Sequence, residues 1–142
     1  MLFRSRGGEF LFRFLAEKKL ATAMMDLSDG LAADLPRLLD ASKRGVRLEA
    51  AAIPLSRAAR KTKQPLHHAL CDGEDFELLF TVSPKNRARF AAAWKRAFPK
   101  LSAVCIGEIL ADPSRRCLHF PGGPAVPLQA GGYQHFLSHR SR

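Results

Sequence analysis

Carboxylates are the scarce charge in this sequence of 142 residues, where 13 Asp and Glu face 23 Lys and Arg and leave a formal charge of +10. Such a balance hints at phosphate or polyanion partners. The basic residues are scattered, however, gathering only at Arg57, Arg60, Lys61 and Lys63 and in the tail at 137–142. With one Tyr and one Trp in the chain, no aromatics interleave with either cluster as single-strand stacking requires. Nucleic acid is therefore not the expected partner.

Other absences narrow the class further. No apolar run approaches the roughly 18 residues that a membrane-spanning helix needs. The opening Met1-Leu2-Phe3-Arg4-Ser5-Arg6-Gly7-Gly8 breaks its apolar residues with arginine and glycine, unlike a secretory signal. Cys71, Cys105 and Cys117 are far apart and odd in number, which suits reduced thiols in a cytoplasm better than a disulfide framework or a zinc site. His67, His68, His119, His135 and His139 show no metal-ligand spacing. The sequence contains neither a phosphate-binding loop ending in Gly-Lys-Ser or Gly-Lys-Thr nor a nucleophile-elbow serine, which disfavours those enzyme classes.

What is present is an ordinary globular composition, 46% hydrophobic and 25% charged, in a length that suits one domain. Residues 9–20 carry Phe10, Leu11, Phe14 and Leu15 at helical spacing and are expected to form a leading helix within residues 1–20. Residues 20–25 run apolar and suit a buried strand. Leu31, Leu35, Leu38 and Leu39 recur as in an amphipathic helix, which Pro36 either delays or kinks. Val46-Arg47-Leu48-Glu49 alternates as a strand does, a short helix is expected near residues 67–70, and residues 76–82 read as a core strand. Ser83 and Pro84 suit a helix start, and Pro99 forbids continuation. Strands are expected at residues 104–109 and 117–120 around the turn Asp112-Pro113-Ser114, with the glycine- and proline-rich end mostly loop. Alternating strands and helices make the class α/β or α+β.

Two acidic motifs could carry chemistry. Asp26-Leu27-Ser28-Asp29-Gly30 sets two carboxylates and a hydroxyl on a tight loop, a suitable oxygen donor set for Mg²⁺ beside substrate phosphates; equally, Ser28 or Asp29 could cap the following helix. Asp72-Gly73-Glu74-Asp75-Phe76-Glu77 is either an exposed acidic turn or a cation- or substrate-binding one, and strand geometry turns Glu77 away from Glu74 and Asp75. Gly131-Gly132-Tyr133 could lay an aromatic ring on a planar ligand, or simply close the core.

Taken in order, Ala23-Met24-Met25-Asp26-Leu27-Ser28-Asp29-Gly30-Leu31 with Asp34-Leu35, Gly73-Glu74-Asp75-Phe76-Glu77-Leu78-Leu79-Phe80-Thr81-Val82, Ile106-Gly107-Glu108-Ile109 and Gly131-Gly132-Tyr133-Gln134-His135-Phe136 resemble the C-terminal half of the thiamine-monophosphate kinases. These belong to the PurM-like superfamily with aminoimidazole ribonucleotide synthetase, selenophosphate synthetase and a hydrogenase maturation factor. The resemblance implies a three-layer α/β/α domain over residues 1–142 with a mixed, partly ferredoxin-like sheet. It implies ATP-dependent phosphorylation of thiamine monophosphate to thiamine diphosphate, with Asp26 and Asp29 as Mg²⁺ ligands, Ser28 on ATP, Glu74 on the substrate and Tyr133 on its thiamine moiety. The family usually has Ser-Gly-Gly-Glu-Asp-Tyr where this chain has Cys71-Asp72-Gly73-Glu74-Asp75-Phe76, so a glycine has become Asp72. Nothing matches the family's N-terminal domain, which supplies most metal-binding aspartates and the main dimer contact. The expectation is a C-terminal part, inactive alone and not a strong dimer. The alternatives are the same half of a phosphoribosyl cyclo-ligase, a selenophosphate synthetase or a hydrogenase maturation protein, or a non-catalytic basic binding module.

Overall fold

A computed structural model describes residues 1–6, 9–72 and 77–128. Its elements run β1 (Leu2–Arg6), α1 (Glu9–Glu17), β2 (Ala23–Leu27), α2 (Leu31–Ser42), β3 (Gly45–Glu49), α3 (Pro65–Cys71), β4 (Glu77–Thr81), α4 (Arg87–Ala97), β5 (Val104–Leu110), β6 (Arg116–His119) and β7 (Val126–Pro127). The strands form one mixed sheet in the order β2-β4-β1-β5-β3-β6-β7.

The first four strands of that order are two interleaved β-α-β units. Chain β1-α1-β2 straddles β4, and chain β4-α4-β5 straddles β1, with every neighbouring pair antiparallel. This is the ferredoxin-like core. An inserted α2-β3-α3 segment separates the units, and its β3 extends the sheet, antiparallel to β5 and parallel to β6.

Strand alternation decides which helix lies on which face. Phe3, Leu78 and Phe80 point one way and pack with Leu11 and Leu15 of α1 and Phe90 and Trp94 of α4. Phe80 is fully buried, with Phe3 and Trp94 stacked on it at ring separations of 5.5 and 5.8 Å. Leu2, Leu79, Val46, Leu48, Ile106 and Leu118 point the other way, into a second cluster with Leu31, Leu35 and Leu39 of α2 and Leu70 of α3. The three layers are therefore α1 and α4, the sheet, then α2 and α3.

Four expectations need correction. The leading helix does not fill residues 1–20: Leu2–Arg6 is a central strand, paired with β4 and β5. Its alternation is masked by Arg4, which is buried because Glu77 neutralises it. Ser83 makes no cap bond, and Pro84–Asn86 forms a 3₁₀ turn before α4 begins at Arg87. Residues 20–25 yield β2, which is the edge strand of the sheet, with most of its side chains half-buried. Pro36 lies inside a continuous α2, so the helix starts at Leu31 and not at Asp34.

Gly107 marks a close contact between β5 and β3. A Cβ there would stand 2.2 Å from the Arg47 carbonyl oxygen and 3.0 Å from the Leu48 Cα. Gly107→Ala is expected to lower unfolding free energy by at least about 2 kcal/mol, because the clash is with backbone that cannot rotate away. Urea denaturation compared with the parent chain checks this, and an unchanged midpoint would refute it.

Candidate functional site

The antiparallel register of β2 on β4 determines which loops meet. Leu27 pairs with Glu77, so the end of β2 and the start of β4 share one end of the sheet. Residues far apart in sequence converge there: the Ser28-Asp29-Gly30 turn, the last turn of α3 and Glu77. Gly30 closes the arrangement. Its φ is +94°, and a Cβ would lie 2.9 Å from both the carbonyl carbon and oxygen of Cys71, so glycine alone lets α3 rest on the turn.

Neither Ser28 nor Asp29 caps α2; the N-cap is Gly30, without a side-chain cap bond. The turn is instead held from inside the helix. Asp34, only 1% exposed, accepts the N–H of Ser28 at 2.8 Å and of Asp29 at 2.9 Å on one carboxylate oxygen. Its other oxygen takes a bond of 2.6 Å from Nη1 of Arg37, which also donates to Asp29 at 2.9 Å. The hydrogen bond and charge of Asp29, followed by the charge of Asp34, raise the Arg37 guanidinium above its ordinary value. Asp26, Ser28 and Asp29 all expose their side chains at this edge.

Beside the turn's end of the sheet is a cavity of about 460 Å³, lined among others by Leu55, Arg57, His68 and Asp72. Arg4 and Glu77 line it too and form an ion pair whose side chains are 4% and 7% exposed. Arg4 also donates to the Ala69 carbonyl at 2.9 Å, tying β1 to α3. Asp72, the departure from the family pattern, is engaged by Nδ1 of His68 at 3.1 Å. Burial first, and the Asp72 charge second, push the Cys71 thiol up, which keeps it protonated and a poor nucleophile.

Of the residues singled out from sequence, Asp26, Ser28 and Asp29 thus share one strand end and turn, while Glu74 and Tyr133 lie outside the described residues. Among the described residues no group of three or more His, Cys, Asp and Glu gathers as a metal cluster. Sequence reasoning gave no role to Arg4, Asp34, Arg37 or His68. Asp34 carried a usable signal, since a carboxylate in the first turn of a helix can fold back onto the N–H groups that precede it. Arg4 carried none, because its partner is 73 residues away.

Asp34→Ala would leave the part-buried N–H groups of Ser28 and Asp29 without their acceptor and Arg37 with Asp29 alone. A loss of about 1–3 kcal/mol is expected, read from chemical denaturation. A loss below about 0.5 kcal/mol would show that the turn does not depend on this carboxylate.

The model of the family described as AIR synthase related protein, C-terminal domain, matches residues 11–118. The thiamine-monophosphate kinase of Escherichia coli K12 is 39% identical over 126 residues, which is 87% of this chain and 38% of that protein. Among solved structures, the hydrogenase maturation protein HypE of E. coli superimposes with a TM-score of 0.72 at 17% identity, covering 92% of this chain and 49% of that one. A structure described as AaThiL complexed with AMPPCP and TMP gives 0.57 at 23% identity, covering 95% and 50%. The chain spans about half the length of these solved structures, and less than half of its E. coli relative. By its match over residues 11–118 the chain belongs to the AIR synthase related protein family, as a C-terminal domain whose sequence relatives are thiamine-monophosphate kinases.

Proposed function

We propose that the chain is the C-terminal part of a kinase that moves a phosphoryl group from ATP to thiamine monophosphate, yielding thiamine diphosphate and ADP. One observation carries the reading. The Leu27–Glu77 register sets the Asp26-Ser28-Asp29 turn at the end of the sheet where the chain segment bearing Glu74 joins β4. The neighbour crystallised with AMPPCP and TMP supplies the chemistry of the two substrates.

The donor set at the turn consists of two exposed carboxylates and a hydroxyl, all hard oxygens, and it fits Mg²⁺. Bound there by Asp26 and Asp29, the ion would neutralise phosphate charge. Ser28 donates to the nucleotide, Glu74 contacts the thiamine phosphate, and Tyr133 holds its ring system. Phosphoryl transfer asks the protein chiefly for positioning and charge neutralisation. A phosphate oxygen of the acceptor forms the new bond to the γ-phosphorus as the bond to ADP breaks. Two aspartates are too few for that work, so activity in this reading requires the half of the relatives that this chain does not span. The location of the reaction is the cytoplasm.

Calorimetric titration of the purified chain with thiamine monophosphate, with and without Mg²⁺ and AMPPCP, tests the reading. Binding that Glu74→Gln weakens at least tenfold, without ATP turnover, is expected. A folded chain that ignores thiamine monophosphate but binds an aminoimidazole ribonucleotide would move it to another branch of the family. Turnover at ordinary kinase rates would refute the need for a second half.

Arg37 competes for Asp29 with any bound cation. Arg37→Ala is expected to tighten Mn²⁺ binding, measured by electron paramagnetic resonance, by no more than about fivefold, as suits an exposed pair. Weaker binding in the variant would show instead that Arg37 positions the carboxylate for the metal.

A further inference from the structure

Six basic residues fall in one carboxylate-free stretch and come to lie on a single layer of the fold. Between Glu77 and Glu108 there is no carboxylate at all, while Lys85, Arg87, Arg89, Lys95, Arg96 and Lys100 fall in that stretch. All six are exposed on or beside α4. None of them makes an ion pair among the described residues; Arg89 spends one donor on the Lys18 carbonyl at 2.9 Å and thereby joins α4 to α1.

The arrangement along α4 is a ridge with two flanks. Phe90 and Trp94 turn into the core, which leaves Ala88, Ala91 and Ala92 as exposed positions between the cations. On the α1 side, Arg89 and Arg96 line a groove of about 570 Å³ with Lys18 and Phe14. On the other side, Arg87 and Lys95 line a second groove of about 320 Å³ with Met1 and Phe3. An alanine ridge offers no bulk to insert into a bilayer and no ring on which an unpaired base could stack. What it permits is close approach of a rigid polyanion whose charges are held in two rows.

We propose that the exposed face of α4 docks duplex DNA through its phosphates, without reading sequence. The B-form major groove is about 12 Å wide between phosphate walls, and a helix with side chains is about 10–12 Å across. Cations on both flanks then meet both walls, while the alanines offer no hydrogen-bonding group to the base edges. The narrow, deep major groove of duplex RNA does not admit a helix in this way. The α4 layer lies on the opposite face of the sheet from α2 and α3, so DNA docking there is independent of the kinase reading.

The test is fluorescence anisotropy of the full chain with a labelled 20-base-pair DNA, titrated with salt from about 50 mM upward. The affinity is expected to fall with salt, and R89A/R96A/K95A is expected to reduce the slope of log K against log salt by about 3, close to 0.9 for each phosphate that is no longer neutralised. The charge-matched variant R60A/K61A/K63A, altered beside α3 on the other face, is expected to keep the parent slope, with melting curves of both variants checked against the parent. Equal reductions in the two variants would overturn the proposal, by showing binding through net charge alone. Absence of binding at about 50 mM salt, or equal or tighter binding to duplex RNA or to anionic phosphatidylserine vesicles, would also overturn it.

Discussion

Strand β4 has to bury both of its faces, and the rest of the domain follows from how that is done. All five of its residues are buried, with Leu78 and Phe80 supplied to one core and Leu79 to the other. A strand apolar on both sides needs neighbours on both edges and a helix layer on each face. β1 and β2 provide the edges, α1 with α4 one layer, and α2 with α3 the other. Because β2 runs antiparallel to β4, satisfying the strand's edge also brings the Asp26-Ser28-Asp29 turn to the start of β4. The site's location is a consequence of core formation.

The same strand carries a charge into the interior at Glu77. Burial of a lone carboxylate would cost several kcal/mol; Arg4 offsets this from the adjacent strand and is itself satisfied by the Ala69 carbonyl. The trio ties β1, β4 and α3 at the end of the sheet where the Ser28-Asp29-Gly30 turn lies. Asp34 repeats the principle nearby, with a buried carboxylate fixing backbone N–H groups that have no strand or helix partner. Polar groups here set loop geometry, and apolar packing sets the layers.

This division explains what was legible in the sequence. Leu31, Leu35 and Leu39 announced α2 through period alone, and residues 76–82 announced β4 through a run of β-formers. Period and composition failed at β1, because its central Arg4 reads as a solvent residue until a partner is known. They failed again at Pro84, where proline at a helix start could not be told from proline in a 3₁₀ turn. For the candidate site, motif order singled out Asp26, Ser28 and Asp29, which the fold brings to one strand end. It could not find Arg37 or His68, which meet Asp34 and Asp72 one helical turn away, with Arg37 also reaching back to Asp29 before the helix.

Charge distribution shows a further limit of linear reading. Arg47, Glu49, Glu108 and His119 cross-pair over the outer half of the sheet, with Arg47 at 3.2 Å from both carboxylates and His119 at 2.8 Å from Glu49. Local charge there is consumed internally, and the half-exposed strand face that bears it needs no covering helix. Among the described residues α4 has no such partners, and its own stretch of sequence lacks carboxylates. The net charge of +10 is therefore not spread as a uniform background. Neutralised over the β3 region, it stays uncompensated among the described residues in two places, along α4 and at Arg57, Arg60, Lys61 and Lys63 beside α3.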